Sequence, residues 1–247
     1  MGFPYRLGKL PATRPYGVED FDAYLTTRPP TPPSRVDPPS VTNAWGGGWG
    51  MAGNDTYGDC VEADSNHAIL ALNTVLGTRD LVPSAGETVL QYQEETGGPD
   101  VGLNISTHLA RWRALGLFED MDGIPNKLPA YAPVKLGITE IQRAVWLCRA
   151  VPMGWQLPQS AQDQFPGHPF TVVPGSPIIG GHDMLAVGYD PEYLYLVTWA
   201  DTHRATWPFV ARYCDEAFAL ITQSVKEKGF GPTGVDFKSL LADLPTI

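Results

Sequence analysis

A cysteine and a histidine that lie far apart in the chain are the side chains best suited to covalent chemistry. Cys60 follows the turn-forming segment 53–59, and a helical pattern begins at or next to it. With Asp59 as the N-cap candidate, Cys60 falls in the first helical turn, where unpaired backbone N–H groups and the helix dipole favour a thiolate. His182 follows two glycines and opens an apolar run that is typical of a strand. We therefore predict a thiolate–imidazolium pair, with Cys60 as nucleophile and His182 as the base.

Each candidate also has a structural interpretation. Cys60 could be a small buried hydrophobe, and His182 could simply fill the end of a strand. His67 is excluded as the base because it lies further along the same helix, about 10 Å from the thiol by helix rise. Cys148 and Cys214 have the surroundings of buried, inert thiols. Three cysteines without a C-x-x-C pair indicate free thiols, and we expect no metal site and no cofactor.

Charge and hydropathy limit the partners that the protein can have. The formal net charge is −10, which argues against nucleic acid and against an anionic membrane. No apolar run approaches the ~20 residues of a membrane span. The first residues lack the apolar core of a signal peptide. We therefore expect a soluble protein that is made in the cytoplasm and has no nucleic-acid or membrane partner.

The first 45 residues have the composition of an extended arm. Nine of the 24 prolines fall in the first 40 positions, and repeated prolines favour a stiff polyproline II conformation. A short helix is predicted at 18–25. The arm could be a linker or strap across its own domain, a propeptide, or a clamp on a neighbouring subunit. Its apolar anchors favour the clamp, and they are Phe3, Tyr5, Leu7, Leu10, Tyr16, Phe21 and Tyr24.

Beyond the arm, the periodicity changes from helical to strand-like. Helices are predicted at 60–76, 86–95, 106–115, 138–151 and 208–213, and strands at 153–157, 182–189, 193–199 and 218–221. Helices followed by antiparallel strands indicate an α+β fold with two lobes and a cleft between them. We expect one domain over residues 46–223 and a C-terminal tail, 224–247, with a short helix.

The order of these features resembles the papain-like cysteine peptidases. Asn54 stands six residues before Cys60 and Gly58 stands two before it, similar to the Gln and Gly of the family's nucleophile motif. Gly181-His182 and the apolar run that follows are similar to the family's histidine strand. The resemblance covers roughly residues 50–222 and implies a helical N-terminal lobe and an antiparallel β C-terminal lobe. It also implies that the Asn54 amide and the Cys60 backbone N–H donate to the oxyanion.

Two positions depart from the family's pattern. Asn54 is one methylene shorter than the family's Gln. The Asn that orients the family's histidine is replaced by Val197 or Thr198, and Thr198 can supply a hydroxyl to the imidazole. Asp201 could reach the imidazole only if the turn before it is tight. Trp199 matches the tryptophan that shields the family's histidine.

The proline-rich arm, Gly-Asn-Asp-x-x-Gly-Asp-Cys, Gly-Gly-His-Asp and Val-Thr-Trp together resemble virion-associated proteins of actinobacteriophages. This resemblance implies a cysteine hydrolase of a peptide, isopeptide or amide bond that is made in the host cytoplasm and associates with the phage particle. The alternative that it implies is a non-catalytic capsid or tail component with a degenerate papain-like fold. The expected partners are other virion subunits, contacted through residues 1–45, and a peptide substrate.

Overall fold

The computed structural model describes residues 5–28, 31–41, 48–77, 81–120, 122–222 and 236–244. The helices are α1 (Cys60–Leu76), α2 (Ala85–Thr96), α3 (Ile105–Leu115), α4 (Ile138–Cys148), α5 (Gln159–Gln164), α6 (Trp207–Tyr213) and α7 (Phe237–Asp243). The strands are β1 (Leu117–Glu119), β2 (Pro125–Asn126), β3 (Ala130–Pro133), β4 (Val151–Pro158), β5 (Ile178–Tyr189), β6 (Tyr193–Thr198), β7 (Asp201–Thr206) and β8 (Cys214–Ile221). Helices dominate the first half and strands the second, so the predicted α+β class is confirmed.

Helix α1 is the central helix of the molecule, and it is buried along most of its length. It begins at Cys60, as the sequence predicts. It ends before Gly77, whose φ of 69° gives the left-handed C-cap that glycine adopts without strain. Asp59 occupies the predicted N-cap position, but its side chain makes no capping hydrogen bond. It accepts instead from the Asn54 amide, at 3.2 Å.

The second half of the chain forms a six-stranded antiparallel sheet in the order β3-β8-β4-β5-β6-β7. Strands β4 and β5 pair along nearly all of β4, and Trp155 lies opposite His182. Helix α1 packs against β5. The sheet and α1 thereby place the start of a buried helix beside the middle of a central strand.

The structure corrects several predicted boundaries. The helix predicted to 151 ends at Cys148, because Val151 already pairs with Ala186 as the first residue of β4. The strand predicted to begin at His182 begins at Ile178, since the two glycines before the histidine also pair with β4. His182 therefore lies inside a strand and not at its start. Strand β7 carries no strand-like alternation of apolar residues and was not predicted.

The described part of the arm lies against its own domain. Backbone N–H groups of Arg6 and Val36 donate to the carbonyls of Asn54 and Tyr189, at 3.0 and 2.9 Å. The predicted short helix is a single 3₁₀ turn, Phe21–Tyr24, and both of its aromatic side chains are buried in the core of this chain. The expected anchor at position 3 lies outside the described residues, as do 29–30 and 42–47. A clamp on a neighbouring subunit stays a prediction.

The tail contains α7, close to the predicted short helix, and most of the tail before it lies outside the described residues. Within the described ranges, no helix combines the length and the apolar character that a membrane crossing requires.

Candidate active site

The four residues predicted to form the site line one small cavity. Cys60, His182, Asn54 and Thr198 all contribute to its wall. Cys60 comes from the first turn of α1, and His182 comes from the middle of β5. The fold therefore brings the predicted thiol and imidazole to the same place.

The two ring nitrogens of the buried His182 have different surroundings. Its Nε2 lies 2.8 Å from the Thr198 hydroxyl. The Trp199 ring stacks on the imidazole with centroids 4.6 Å apart and an interplanar angle of 23°. Among the described residues, Nδ1 has no hydrogen-bond partner. That nitrogen is therefore the one that can exchange a proton with the thiol.

The turn after Thr198 places the tryptophan over the histidine. Trp199 and Ala200 have φ values of 45° and 66°, and Thr198 pairs with Asp201 across the turn. A two-residue turn with both positions left-handed matches the twist of a hairpin, but it strains residues other than glycine, asparagine and aspartate. The strained turn is the one that stacks the Trp199 ring on His182. Asp201 is exposed, so Thr198 and not Asp201 contacts the imidazole.

Burial sets the charge state of the pair. Burial raises the pKa of Cys60 above its ordinary value, and the Asp183 carboxylate raises it further. The backbone N–H groups of Asp183 and Gly8 approach the thiol and act in the opposite direction. Burial also lowers the pKa of His182 to about 3. Burial thus outweighs the helix dipole at Cys60, and it favours a neutral thiol and a neutral imidazole in this cavity, whereas the sequence predicts a thiolate.

Asn54 lines the cavity, but its amide is engaged within the loop. Nδ2 donates to the Tyr57 carbonyl and to the Asp59 carboxyl, both at 3.2 Å. Burial raises the pKa of Asp59 to about 8, and the bond from Asn54 opposes that rise. A role for the Asn54 amide at an oxyanion therefore requires the loop to release one of these bonds.

The arm runs through the groove beside Cys60. Lys9 N–H donates to the Gly181 carbonyl at 3.1 Å, next to His182. On the other side, Leu103 N–H donates to the Gly8 carbonyl at 2.9 Å and Leu10 N–H donates to the Leu103 carbonyl at 2.8 Å. These bonds form a parallel β-bridge between Lys9 and Leu103. The arm thus joins the two walls of the groove and brings the Gly8 N–H to the thiol.

An aromatic stack closes the groove on the histidine side. The Tyr5 ring stacks on Trp199 with centroids 4.9 Å apart, and it contacts Phe165 edge-on at 5.2 Å. The sequence predicts Tyr5 as an anchor of the arm but not its position over the site. The position of Lys9 is not predicted either, although the glycines at 58, 102 and 181 are a signal that another backbone approaches closely.

Three further ionisable residues line the cavity. His67 Nε2 lies 3.0 Å from the Gly50 carbonyl, and burial lowers the pKa of this imidazole to about 4. This bond agrees with its exclusion as the base. Asp64 lies beside Asp183, and burial raises the pKa of both carboxyls well above the ordinary value. At neutral pH this environment favours their protonated forms.

A second buried cluster lies on the other side of α1. His108 Nδ1 lies 2.9 Å from Glu95 Oε2 and 3.4 Å from Glu62 Oε2, and its Nε2 lies 2.8 Å from the Ser65 hydroxyl. The ligand atoms of the two glutamates and the histidine lie within 4.8 Å of one another. The Arg111 guanidinium, 3.4 Å from Glu95, supplies positive charge to the same group. The cluster is therefore built as an ion network.

Comparison with solved structures gives matches along most of the chain. Xylellain, a cysteine protease from Xylella fastidiosa, has a TM-score of 0.64 at 13% identity, over 89% of this chain and 97% of its own. Digestive procathepsin L 3 of Tenebrio molitor has a TM-score of 0.58 at 13% identity, over 88% and 76%. The Carica candamarcensis cysteine protease CMS1MS2 has a TM-score of 0.53 at 15% identity, over 77% and 99%.

No protein-family model matches the sequence, and comparison with curated proteins gives no match. At these identities the likeness concerns the fold alone. The chain has the papain-like fold of these cysteine proteases.

Proposed function

We propose that this chain is a papain-like cysteine hydrolase of peptide, isopeptide or amide bonds, held in a covered form by its own arm. The observation that carries the proposal is the His182 imidazole. Its Nε2 is fixed by Thr198 and its Nδ1 has no partner in the described part of the chain, in the cavity that Cys60 also lines. A histidine that only filled space would not need one nitrogen oriented by a hydroxyl and the other left without a partner in a cavity that a thiol also lines.

The chemistry follows from these two atoms. Nδ1 accepts the proton of the Cys60 thiol, and the thiolate attacks the carbonyl carbon of the substrate. The imidazolium then returns the proton to the leaving amine as the C–N bond breaks and a thioester remains on Cys60. His182 next takes a proton from water, whose oxygen attacks the thioester and releases the acid and the thiol. The Cys60 backbone N–H and, after loop rearrangement, the Asn54 amide stabilise the oxyanion of both steps.

The covered form explains the charge state of the pair. The arm excludes water from the thiol and from the imidazole, and exclusion of water favours the neutral form of each group. When the arm leaves the groove, both groups gain solvent and the helix N-terminus then favours the thiolate. The arm therefore acts as a plug, and its displacement generates the reactive pair.

Iodoacetamide labelling at pH 6 tests the proposal. In the intact chain we expect Cys60 to react slowly, like Cys148. In a Tyr5→Ala variant, which loses the stack on Trp199, Cys60 labelling should rise roughly tenfold, the equivalent of about 1.4 kcal/mol, while Cys148 stays unchanged. A peptide substrate cleaved by this variant should be left intact by the variant that also carries Cys60→Ala. Equal labelling of the two cysteines at alkaline pH only, in both proteins, would remove the basis for catalysis.

We also keep the proposal that the chain is a virion component, a capsid or tail protein that contacts other subunits through residues 1–45. Two anchors of the arm support it. Tyr16 is 98% exposed and Leu10 is 41% exposed, so neither is used fully by its own domain. An exposed tyrosine on an extended segment is well suited to a protein partner. This role and the hydrolase activity are compatible.

Incorporation into particles tests the second proposal. We expect Tyr16→Ala to reduce the amount of the chain that sediments with phage particles at least several-fold. Leu90→Ala, an equally simple truncation of a 59% exposed side chain on α2, should leave it unchanged. Particles that never contain the chain, or that take up both variants equally, would contradict the arm-mediated role.

A further inference from the structure

Lys9 occupies a buried acidic pocket at the base of the groove. Its side chain is fully buried, and its Nζ lies 2.9 Å from Asp215 Oδ1 and 3.0 Å from Glu216 Oε1. The backbone N–H of the same residue donates to the carbonyl of Gly181, the residue before His182. The arm thus places a cation in a pocket that adjoins the cavity of Cys60 and His182 through Asp183.

The sheet is shaped to accept the aliphatic part of that side chain. Gly154 on β4 pairs with Asp183 on one side and with Glu216 on the other. A Cβ at this glycine would collide with Lys9 Cε and with Glu216 Cγ. The space above Gly154 is therefore a channel for a methylene stem, and carboxylates stand on both of its flanks. A compact metal ion would leave this channel empty, whereas a linear side chain with a terminal cation fills it.

The pocket holds more acidic groups than its one cation can balance. Both carboxyl oxygens of Asp183 lack a side-chain hydrogen-bond partner among the described residues, although this residue is only 3% exposed. Burial raises the pKa of Glu216, and Lys9 only partly opposes the rise. Burial lowers the pKa of Lys9, but Glu216 and Asp215 reverse this, and the net pKa is raised. The pKa values of Lys9 and of Glu216 are both raised because the single Lys9 ammonium is shared by Asp215 and Glu216.

We propose that this pocket selects a lysine or arginine side chain of the substrate, which replaces Lys9 when the arm leaves the groove. The inference rests on the proposed hydrolase function. A substrate chain in the same groove meets the same backbone groups, the Gly181 carbonyl and the Leu103 N–H and carbonyl, that now bind the arm. Its residue opposite Gly181 then directs its side chain over Gly154. An acidic side chain at this position would bring like charges together in a buried site.

Chemical rescue of a truncated lysine tests the pocket without requiring catalysis. In full-length Lys9→Ala, which keeps the first carbon of the lysine stem, n-propylammonium should fit the vacated channel and raise the melting temperature by about 2 °C or more. Equimolar n-propanol, which has the same stem without the charge, should not. Wild-type protein, with the channel filled, should respond to neither compound. Equal shifts with the amine and the alcohol in Lys9→Ala would overturn the proposal.

A second measurement covers the case in which Lys9→Ala does not fold. Peptide substrates that differ only by lysine, norleucine or glutamate next to the cleaved bond are compared on the Tyr5→Ala protein. We expect the lysine peptide to be cleaved at least tenfold faster than the norleucine peptide, and Glu216→Gln to reduce that ratio. A ratio near one overturns the pocket but keeps the hydrolase. Amine-specific rescue without cleavage of any peptide supports the pocket and contradicts the hydrolase.

Discussion

Two buried histidines, His108 and His182, pack against α1 and differ in what surrounds their rings. Each has Nε2 at 2.8 Å from a hydroxyl, Ser65 for His108 and Thr198 for His182. The Nδ1 of His108 contacts Glu95 at 2.9 Å, whereas the Nδ1 of His182 has no partner in the described chain. Both nitrogens of His108 therefore make structural contacts, whereas His182 has one nitrogen that can take part in proton transfer.

Electrostatics separates the two rings further. Burial lowers the pKa of both, but Glu62 and Glu95 reverse the effect at His108 and raise its pKa to about 9. At His182 burial acts alone, and the pKa falls to about 3. Carboxylate partners thus make a buried imidazole a cation at neutral pH, and this cation links helices α1, α2 and α3. The absence of such a partner leaves a neutral base beside Cys60.

The largest expected effect comes from removing the cation. His108→Gln leaves Glu62 and Glu95 buried without the imidazolium, and breaking a buried pair in this way costs about 3–5 kcal/mol. His182→Gln removes a neutral ring with a single hydrogen bond, which is worth about 0.5–1.5 kcal/mol. Urea unfolding at pH 7 of the two variants measures both losses. Similar losses in the two variants would show that the rings have the same structural role.

The pH dependence of the same variants sharpens the difference. The folded pKa of His108 is raised from 6.5 to about 9, so its contribution to stability is present at pH 6.5 and is lost as pH rises through 9. The gap in unfolding free energy between wild type and His108→Gln should therefore shrink from pH 7 to pH 10. The gap for His182→Gln should stay flat, because His182 is neutral over this range. A His108→Gln gap that does not change with pH contradicts the charged imidazole.

The sequence was sufficient to predict the elements that carry the site. The apolar pattern after Cys60 and the glycine at 77 predict α1, because the types of neighbouring residues are enough to indicate a buried helix and its left-handed C-cap. The apolar run at 182–189 identifies β5. The pairing of the thiol with the imidazole was predicted because the order of the motifs resembles that of the papain-like peptidases. In the structure, both side chains line one cavity.

Other features depend on contacts that no local pattern records. Lys9 lies in a proline-rich arm whose path over the groove is decided by the surface it meets, and its partners Asp215 and Glu216 lie at the other end of the chain. His108 has no motif around it, since its charge comes from carboxylates on two other helices. The neutral state of Cys60 was also not predictable. The helix N-terminus indicates a thiolate, and only the folded structure shows that burial of the thiol outweighs the effect of the helix dipole on its pKa.

The two hydroxyls that contact these rings separate a structural role from a functional one. Ser65→Ala leaves a buried charged donor of His108 without its acceptor, which should cost about 1.5–3 kcal/mol. Thr198→Val keeps the shape and removes a bond to a neutral ring, which should cost about 1 kcal/mol. The order reverses for reactivity. On the Tyr5→Ala background, Thr198→Val should slow Cys60 labelling and peptide cleavage about tenfold, because the imidazole loses its orientation, and Ser65→Ala should leave both unchanged.

A serine at position 198 restores the hydroxyl without the methyl group and so identifies the cause of the slower labelling in Thr198→Val. Thr198→Ser keeps an oxygen that can meet Nε2 of His182, so it should recover most of the labelling rate that Thr198→Val loses, whereas loss of packing alone would leave the serine variant as slow as the valine variant. If Ser65→Ala slows Cys60 as much as Thr198→Val does, the two histidines are not independent. The reaction would then depend on the ion network across α1 and not on the orientation of His182 alone.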